Sequence, residues 1–164
     1  MGAVSIGFLE QEELKLYLET TVPSFLLADD APEKQEVTRQ FFEWLAISPD
    51  KLYISELVLA ELNRASPAVR DKLLEAVARL PVENLPISDE AVALAGRYVT
   101  DGVIPARYRD DAVHVALAVL NNLDVVVTWN MKHLANVRRI EGINRTNLAM
   151  SSSADPDPYA RGGN

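Results

Sequence analysis

Cysteine is absent from this 164-residue sequence, so the protein can form neither a disulfide framework nor a thiolate metal site. Its first residues show no basic segment followed by an apolar core, which gives no support for secretion. No apolar run reaches the roughly 18 residues that suggest a membrane-spanning helix. Together these absences predict a cytoplasmic protein that does not insert into membranes.

Basic residues are fewer than acidic ones. There are 16 Lys and Arg against 24 Asp and Glu, which gives a formal net charge of −8. This sign opposes long-range attraction to phosphate backbones and counts against a general nucleic-acid-binding protein. An enzyme that meets phosphate through a bound divalent cation is still compatible with the charge, because the ion can be the largest local charge in a site. Part of the acid excess would then be metal ligands.

Length and composition predict one domain, since 48% hydrophobic content is enough for a single sizeable core. We divide the chain into a lead-in at 1–13, a folded domain at 14–148 and a tail at 149–164. The tail is rich in Ser, Asp, Pro and Gly and is expected to be disordered. Strand patterns alternate with helix patterns in the domain, which predicts a three-layer α/β/α sandwich around a mostly parallel sheet.

The pattern also predicts individual elements. Strands are expected at 14–18, 51–54 and 124–128, and helices at 33–47, 55–62, 67–80, 88–100, 110–120 and 131–148, the last broken near Gly142. In the first helix Val37, Phe41, Trp44 and Leu45 are spaced for one apolar face. Ser55 and Asp110 are suited to cap the helices that follow them.

The most informative stretch is 110–133, which reads as a buried helix followed by a buried strand. Asp111 lies in the first turn of that helix, beside residues that are apolar on almost every face. Burying this carboxylate without a partner would cost several kcal/mol, so a cation is expected nearby.

Four side chains are expected to meet at one edge of the sheet. Ligands of open parallel sheets collect outside the carboxyl ends of the strands, and Glu19 and Asn130 each stand at such an end. Glu61 shares the core-facing side of its helix, whereas Glu56 sits in the first turn as a partner of the helix dipole. Asp111 is preferred to Asp110 because Asp110 can serve as the N-cap, whereas Asp111 lies one turn from His114 and Val115 on an otherwise packed helix.

Three carboxylates and an amide oxygen form a hard-oxygen set. Such a set suits Mg²⁺ or Mn²⁺ and suits zinc poorly. Acids gathered without a cation would repel one another, which is the physical reason to infer a metal.

Each acid also has a simpler explanation. Glu19 can be a strand-end acid facing water, and Glu61 can form an ion pair with Arg64 or Lys51. Asp111 can serve helix-start electrostatics alone. The metal hypothesis depends on all of these positions converging.

Other polar residues near this stretch have ordinary explanations as well. Asn130 can be a helix N-cap. His114 and His133 are expected to be hydrogen-bonded core residues, and we leave both out of the metal set. Arg107 and Arg109 precede the central helix and are candidates to clamp a substrate phosphate, although arginine at a helix start is also ordinary surface. The two tryptophans are expected in the core or in a crevice wall.

Four motifs make the chain resemble the PIN-domain family, which includes the toxin ribonucleases of VapC-type toxin–antitoxin pairs. They lie at 17–25 (YLETTVPSF), 55–61 (SELVLAE), 111–118 (DAVHVALA) and 128–134 (TWNMKHL), in family order, and cover about 14–148. The family pattern places its acidic site at Glu19, Glu61, Asp111 and Asn130, the four residues chosen above.

Two of these positions depart from the commoner family form, which has Asp at both. Glu19 keeps the charge with a longer reach, and Asn130 keeps an oxygen but loses a charge, which lowers the expected metal affinity. The sequence looks like the branch that reads Tyr-x-Glu-Thr and Thr-Trp-Asn. Family members normally continue into a closing edge strand that this sequence lacks, so the sheet is expected to be one strand short.

The resemblance implies a Mg²⁺-dependent or Mn²⁺-dependent ribonuclease that leaves a 5′-phosphate and a 3′-hydroxyl. Thr20 or Thr128 would orient the water or a carboxylate. The implied partners are an RNA substrate, an antitoxin protein and a second copy of the chain. The alternative is a non-catalytic PIN-like interaction module with a degenerate metal site. A small-molecule phosphatase ranks last, because Glu19 stands where that chemistry needs a nucleophilic Asp.

Overall fold

A computed structural model of the chain describes residues 13–130, 132, 134 and 137–153. The strands are β1 Lys15–Leu18, β2 Lys51–Ser55, β3 Val82–Leu85 and β4 Val125–Val127. The helices are α1 Thr21–Ser24, α2 Pro32–Ile47, α3 Glu56–Leu62, α4 Pro67–Ala78, α5 Asp89–Thr100, α6 Arg109–Leu120 and α7 Val137–Ser153, with 3₁₀ turns at Phe25–Leu27 and Ala106–Tyr108.

The four strands form one parallel sheet in the order β3-β2-β1-β4. β1 lies inside the sheet, and Leu16, Tyr17 and Leu18 are all buried. Because the strands are parallel, β1 and β4 end at the same edge, where the Glu19 N–H donates to the carbonyl of Val127. The α/β fold class is confirmed, with a sheet that is fully parallel and flanked by helices.

Two groups of buried side chains hold the helices in place. One joins the sheet to α2, α3 and α4 through residues such as Leu45, Val58 and Leu73. The other joins α5 to α6 and reaches Ile143 of α7. The side chains of 112–118 in α6 are all buried, and His114 is the one polar residue among them. This agrees with the prediction of a buried central helix.

Several predicted elements are correct to within a residue or two, and β3 was missed. Val82-Glu83-Asn84-Leu85 has only two apolar residues, and both Glu83 and Asn84 are exposed. Pairing with β2 therefore makes this segment a strand, since its own pattern is weak. In the part of the chain that the structure describes, no strand follows β4, in line with the expected shorter sheet.

The predicted apolar face of α2 is wrong in part. Leu45 is buried, but Val37 and Trp44 are largely exposed, and Thr38 is the second buried residue. The Thr38 hydroxyl donates to the carbonyl of Lys34 and accepts from the indole N–H of Trp129. A polar residue that satisfies its hydrogen bonds can thus replace an apolar one on the inward face.

Two further predictions on helix ends are corrected. Asp110 does not cap α6, because the helix begins at Arg109 and Tyr108 occupies the cap position. α7 runs unbroken through Gly142 and continues to Ser153, past the predicted boundary at 148. Of the predicted lead-in at 1–13, residues 1–12 lie outside the described residues, as do Met131 and His133. Of the tail predicted to be disordered at 149–164, residues 149–153 are helical and the rest lies outside the described residues.

α7 is tied to α5 by two side-chain hydrogen bonds. The Tyr98 hydroxyl donates to Oδ1 of Asn147 at 2.6 Å, and the Thr146 hydroxyl donates to Oδ2 of Asp101 at 2.8 Å. Burial raises the pKa of Tyr98 to about 12, so its hydroxyl is a donor at neutral pH. Among the described helices, none is long and apolar enough to cross a membrane.

Candidate active site

Glu19 is a buried carboxylate at the carboxyl end of β1, with only 3% of its surface exposed. Its Oε2 accepts three hydrogen bonds: from the Thr21 N–H at 3.1 Å, from the Thr21 hydroxyl at 2.5 Å and from the Thr128 hydroxyl at 2.9 Å. These donors compensate the negative charge for its lost hydration. Within the described residues no hydrogen bond ends on Oε1, which leaves one oxygen of the carboxylate for another partner.

Each of the two threonines has a second function. Thr21 Oγ1 accepts from the Trp129 N–H, and Thr128 Oγ1 accepts from the Asn130 N–H, both at 2.9 Å. We call the hydrogen bonds from Thr21 and Thr128 to Glu19 the clasp. The clasp therefore also fixes the chain that leaves β4. This fixes the backbone that leads to the Asn130 side chain.

Asp111 and Asn130 are direct neighbours. Asp111 lies in the first turn of α6, and its Oδ2 accepts from Nδ2 of Asn130 at 3.3 Å. The helix dipole favours a carboxylate at this place. The Asn130 amide donates through its nitrogen here, and the oxygen is the atom of an amide that binds cations.

Glu61 is held by a residue of α6. Its Oε1 lies 2.6 Å from Nε2 of His114, which is fully buried. Nδ1 of His114 lies 2.6 Å from the Tyr17 hydroxyl, which in turn lies 2.8 Å from Oγ of Ser55. Ser55 caps α3 by accepting from the Val58 N–H, as predicted for this residue.

Hydrogen bonds join Glu19, Asn130 and Asp111, and one turn of α6 separates Asp111 from the residue that contacts Glu61. Thr128 connects Glu19 to the backbone of Asn130, and Asn130 contacts Asp111. Asp111 is three residues from His114 on α6, and His114 contacts Glu61. The electrostatics agree: burial raises the pKa of the Tyr17 hydroxyl far above its usual value, and the charges of Glu19 and Glu61 raise it further.

The residues fit a hard divalent cation in kind. All candidate donors are carboxylate or amide oxygens, and no thiol exists in the chain. Among the described residues, however, no three His, Asp or Glu side chains form a group that could hold a metal. Glu61 is hydrogen-bonded to His114, and Asp111 is hydrogen-bonded to Asn130. The carboxylates therefore do not surround a single point in this structure.

The candidates for substrate contacts have different surroundings. Thr128 contacts the Glu19 carboxylate, whereas the buried Thr20 hydroxyl has no hydrogen-bond partner among the described residues. The exposed Arg107 guanidinium lies over the ring of Tyr108, 4.9 Å from its centroid. Arg109 lies against Gly96 of α5, where a Cβ would be 3.3 Å from its Nη2.

Sequence reasoning missed two members of the network and did not name the partners of a third. Thr21, which contacts Glu19, was passed over in favour of Thr20. Tyr17 was assigned to a strand pattern and a motif but to no contact. His114 is confirmed as a hydrogen-bonded core residue, but its partners were not named. The signal for His114 was its position as the one polar residue in an apolar helix segment, but its partners are 53 and 97 residues away along the chain.

Comparison with known proteins identifies the fold. No protein-family model and no curated protein sequence matches the chain. Among solved structures, VapC20 of Mycobacterium tuberculosis, described as a sarcin-ricin loop cleaving toxin, is similar with a TM-score of 0.54 and 13% identity, over 71% of this chain and 91% of that one. VapBC2 of Rickettsia felis, solved bound to a DNA fragment from its promoter, is similar with a TM-score of 0.52 and 20% identity, over 71% and 88%. The chain therefore has the PIN-like fold of the VapC toxins, and the resemblance that its motifs predict is confirmed at the level of the fold.

Proposed function

We propose that this protein is a metal-dependent ribonuclease of PIN type, the toxin of a toxin–antitoxin pair. The observation that carries the proposal is the connected set of Glu19, Glu61, Asp111 and Asn130 at the carboxyl edge of a VapC-like fold. The VapC20 neighbour is described as a sarcin-ricin loop cleaving toxin, which supports phosphodiester hydrolysis as the reaction class.

The residues would hold Mg²⁺ or Mn²⁺ through Oε1 of Glu19, Oε2 of Glu61, the Asp111 carboxylate and the Asn130 amide oxygen. When bound, the cation supplies positive charge for the attacked phosphate and lowers the pKa of a water. The chain contributes the orientation: the two threonines fix Glu19, and His114 fixes Glu61. A bound cation would also offset part of the net charge of −8, which by itself repels RNA.

The test is a calorimetric titration of the full chain with Mn²⁺, beside the variant Asp111→Asn. This change removes one negative charge and keeps the side-chain shape, so the metal affinity should be lost. Cleavage of a structured RNA in Mg²⁺ should fall at least ~100-fold, as for other groups that stabilise developing charge.

Asp110→Asn is the matched control. Asp110 lies in the same helical turn, but it is exposed and its ion pair with Arg64 is long, at 3.8 Å. This variant should bind Mn²⁺ and cleave RNA like the parent. Full activity of Asp111→Asn would end the assignment. A parent chain that binds no Mn²⁺ would point to the non-catalytic interaction module.

We also propose two protein partners. The VapBC2 neighbour supports an antitoxin partner. A second copy of the chain would cover the apolar cleft between α5, α6 and α7, which has a volume of about 420 Å³ and is lined by residues that include Leu94, Val119, Leu120 and Met150. Leu120 and Met150 are exposed, and exposed apolar clefts of this kind mark interaction sites.

A further inference from the structure

His114 stands at the centre of a buried row of polar groups that ends at the site. The row runs from Ser55 through Tyr17 and His114 to Glu61, with separations of 2.8, 2.6 and 2.6 Å. Ser55, Tyr17 and His114 are fully buried, whereas the Glu61 side chain is 22% exposed. The row therefore connects the protein interior to a partly exposed carboxylate of the site.

The protons of this row can be arranged so that every donor has an acceptor, and this arrangement runs from Ser55 towards Glu61. Glu61 is a carboxylate and can only accept, so Nε2 of His114 carries a proton and donates. Nδ1 of a neutral imidazole protonated at Nε2 is an acceptor, and the Tyr17 hydroxyl donates to it at 2.6 Å. Ser55 then donates to the Tyr17 oxygen, while its own oxygen accepts from the Val58 N–H.

The reverse direction leaves one donor without a partner. If Nδ1 of His114 were protonated, the Tyr17 hydroxyl would donate to Ser55. The Ser55 hydroxyl proton would then have no acceptor among the described residues, in a fully buried place. A buried unsatisfied donor costs about 1–3 kcal/mol, so the row favours the Nε2–H tautomer.

This tautomer determines which oxygen of Glu61 is available. Nε2–H of His114 holds Oε1, and no hydrogen bond from the described residues ends on Oε2. Without this hold the carboxylate could rotate among several rotamers, and ordering it at the moment of cation binding would cost side-chain entropy. Residues that hydrogen-bond to a metal ligand, and do not bind the metal themselves, raise metal affinity by orienting that ligand.

We propose that His114, fixed in its Nε2–H tautomer by Tyr17 and Ser55, is a positioning residue that presents Oε2 of Glu61 to the cation. This inference rests on the proposed function, because it assigns a role within the same metal site. It explains why an otherwise apolar helix segment carries one buried polar side chain, whose desolvation must be offset by its two hydrogen bonds.

The experiment combines ring ¹⁵N NMR of the metal-free chain with Mn²⁺ calorimetry on four variants. In the parent, Nε2 of His114 should be protonated and Nδ1 should not. His114→Leu removes the donor to Glu61 and should weaken Mn²⁺ binding about 10–100-fold. His114→Gln places an amide N–H near the Nε2 position and should restore most of the affinity.

Tyr17→Phe tests the support of the imidazole without touching His114 or Glu61. It removes the hydrogen bond that anchors Nδ1, so the imidazole loses its support on the side away from Glu61, the ¹⁵N signal of Nδ1 should shift, and Mn²⁺ affinity should fall. Tyr98→Phe is the matched control, since it also removes one buried hydroxyl but its partner is Asn147, on α7. This control should change neither the spectrum of His114 nor the Mn²⁺ affinity.

The outcomes separate the inference from the proposed function. A parent that binds Mn²⁺ while a folded His114→Leu binds it equally well overturns the inference alone. A parent with a protonated Nδ1 and an unprotonated Nε2 also overturns it. If His114→Leu does not fold, the spectrum of the parent and the affinity of Tyr17→Phe decide. A parent without Mn²⁺ binding removes the proposed metal site, and the inference with it.

Discussion

Two threonine hydroxyls determine how the Glu19 carboxylate is held. Each donates to Oε2 of Glu19 and accepts from a backbone N–H beyond β4. Losing either hydroxyl therefore leaves a buried carboxylate with one donor fewer and a backbone N–H without its acceptor. Thr21 and Thr128 are 107 residues apart along the chain, so the clasp also joins the ends of β1 and β4.

We expect Thr128→Val to lower the free energy of unfolding by about 1.5–3 kcal/mol, since the lost bond is to a charged acceptor. Valine has nearly the shape of threonine, so the loss reports the hydroxyl. Thr100→Val is the control, because the Thr100 hydroxyl donates to the Gly96 carbonyl on an exposed surface. It should change the free energy by ~0.5 kcal/mol or less. Equal values in urea unfolding would contradict the role of the clasp.

At this scale the sequence identified the candidate acids but not what contacts them. Their position after a strand or in a first helical turn is a local property, and local patterns are readable. The partners are distant: Thr128 lies 109 residues from Glu19, and His114 lies 53 from Glu61. No local pattern encodes such pairs.

Among the elements, two helices begin with the same cap but in different surroundings. Ser55 and Ser88 each accept a backbone N–H three residues ahead, at 3.3 and 3.1 Å. Ser88 is exposed and does no more than cap α5. Ser55 is buried at the junction of β2 and α3 and also contacts the Tyr17 hydroxyl.

Comparing Ser55→Ala with Ser88→Ala separates the cap from the buried contact. Ser88→Ala should cost about 0.5–2 kcal/mol of unfolding free energy, the usual value for an N-cap. Ser55→Ala should cost about 1–3 kcal/mol more, because it also leaves the buried Tyr17 oxygen without the donor from Ser55. Chemical denaturation of both variants measures the difference, and the interpretation fails if the two costs are the same.

Gly142 shows why α7 passes through a residue that was expected to break it. A Cβ at this position would lie 2.8 Å from Cγ1 and 3.4 Å from Cβ of Val103. The close approach of the loop after α5 therefore requires a glycine at this position. The low helix propensity of one glycine destabilises α7 only modestly, so the helix continues through it.

Gly142→Ala should lower the free energy of unfolding by about 1–2 kcal/mol, because the clash with Val103 exceeds the gain in helix propensity. In a Val103→Ala background the same change should be neutral or stabilising. A double-mutant cycle in urea measures this coupling. A stabilising effect of Gly142→Ala in the parent would show that α7 and the loop are not in close contact.

At the scale of the whole molecule, the apolar surface of α5, α6 and α7 is the feature that the single chain leaves unexplained. Leu120 is 40% exposed at the cleft that we propose a second copy covers. Covering such side chains is favourable by about 25 cal/mol per Å² of apolar surface. The acidic charge of −8 opposes association, so the contact has to be mainly apolar.

We expect light scattering to give the mass of a dimer for the parent and of a monomer for Leu120→Asp, because the substitution buries a charge in the proposed contact. Ile47→Asp is the control: Ile47 is 85% exposed at the end of α2, outside the cleft. It should stay dimeric. A parent that is a monomer at micromolar concentration would end this part of the proposal.

The sequence by itself determined the fold class, most element positions and the four acidic or amide candidates, because hydrophobic periodicity, caps and strand ends are local signals. Tertiary structure decided the rest. It made 82–85 a strand by pairing it with β2, turned Thr38 inward to meet Trp129, and carried α7 through Gly142. It also joined Tyr17 and Ser55 to His114 and so to Glu61, because contacts between residues far apart in the chain depend on how the elements pack.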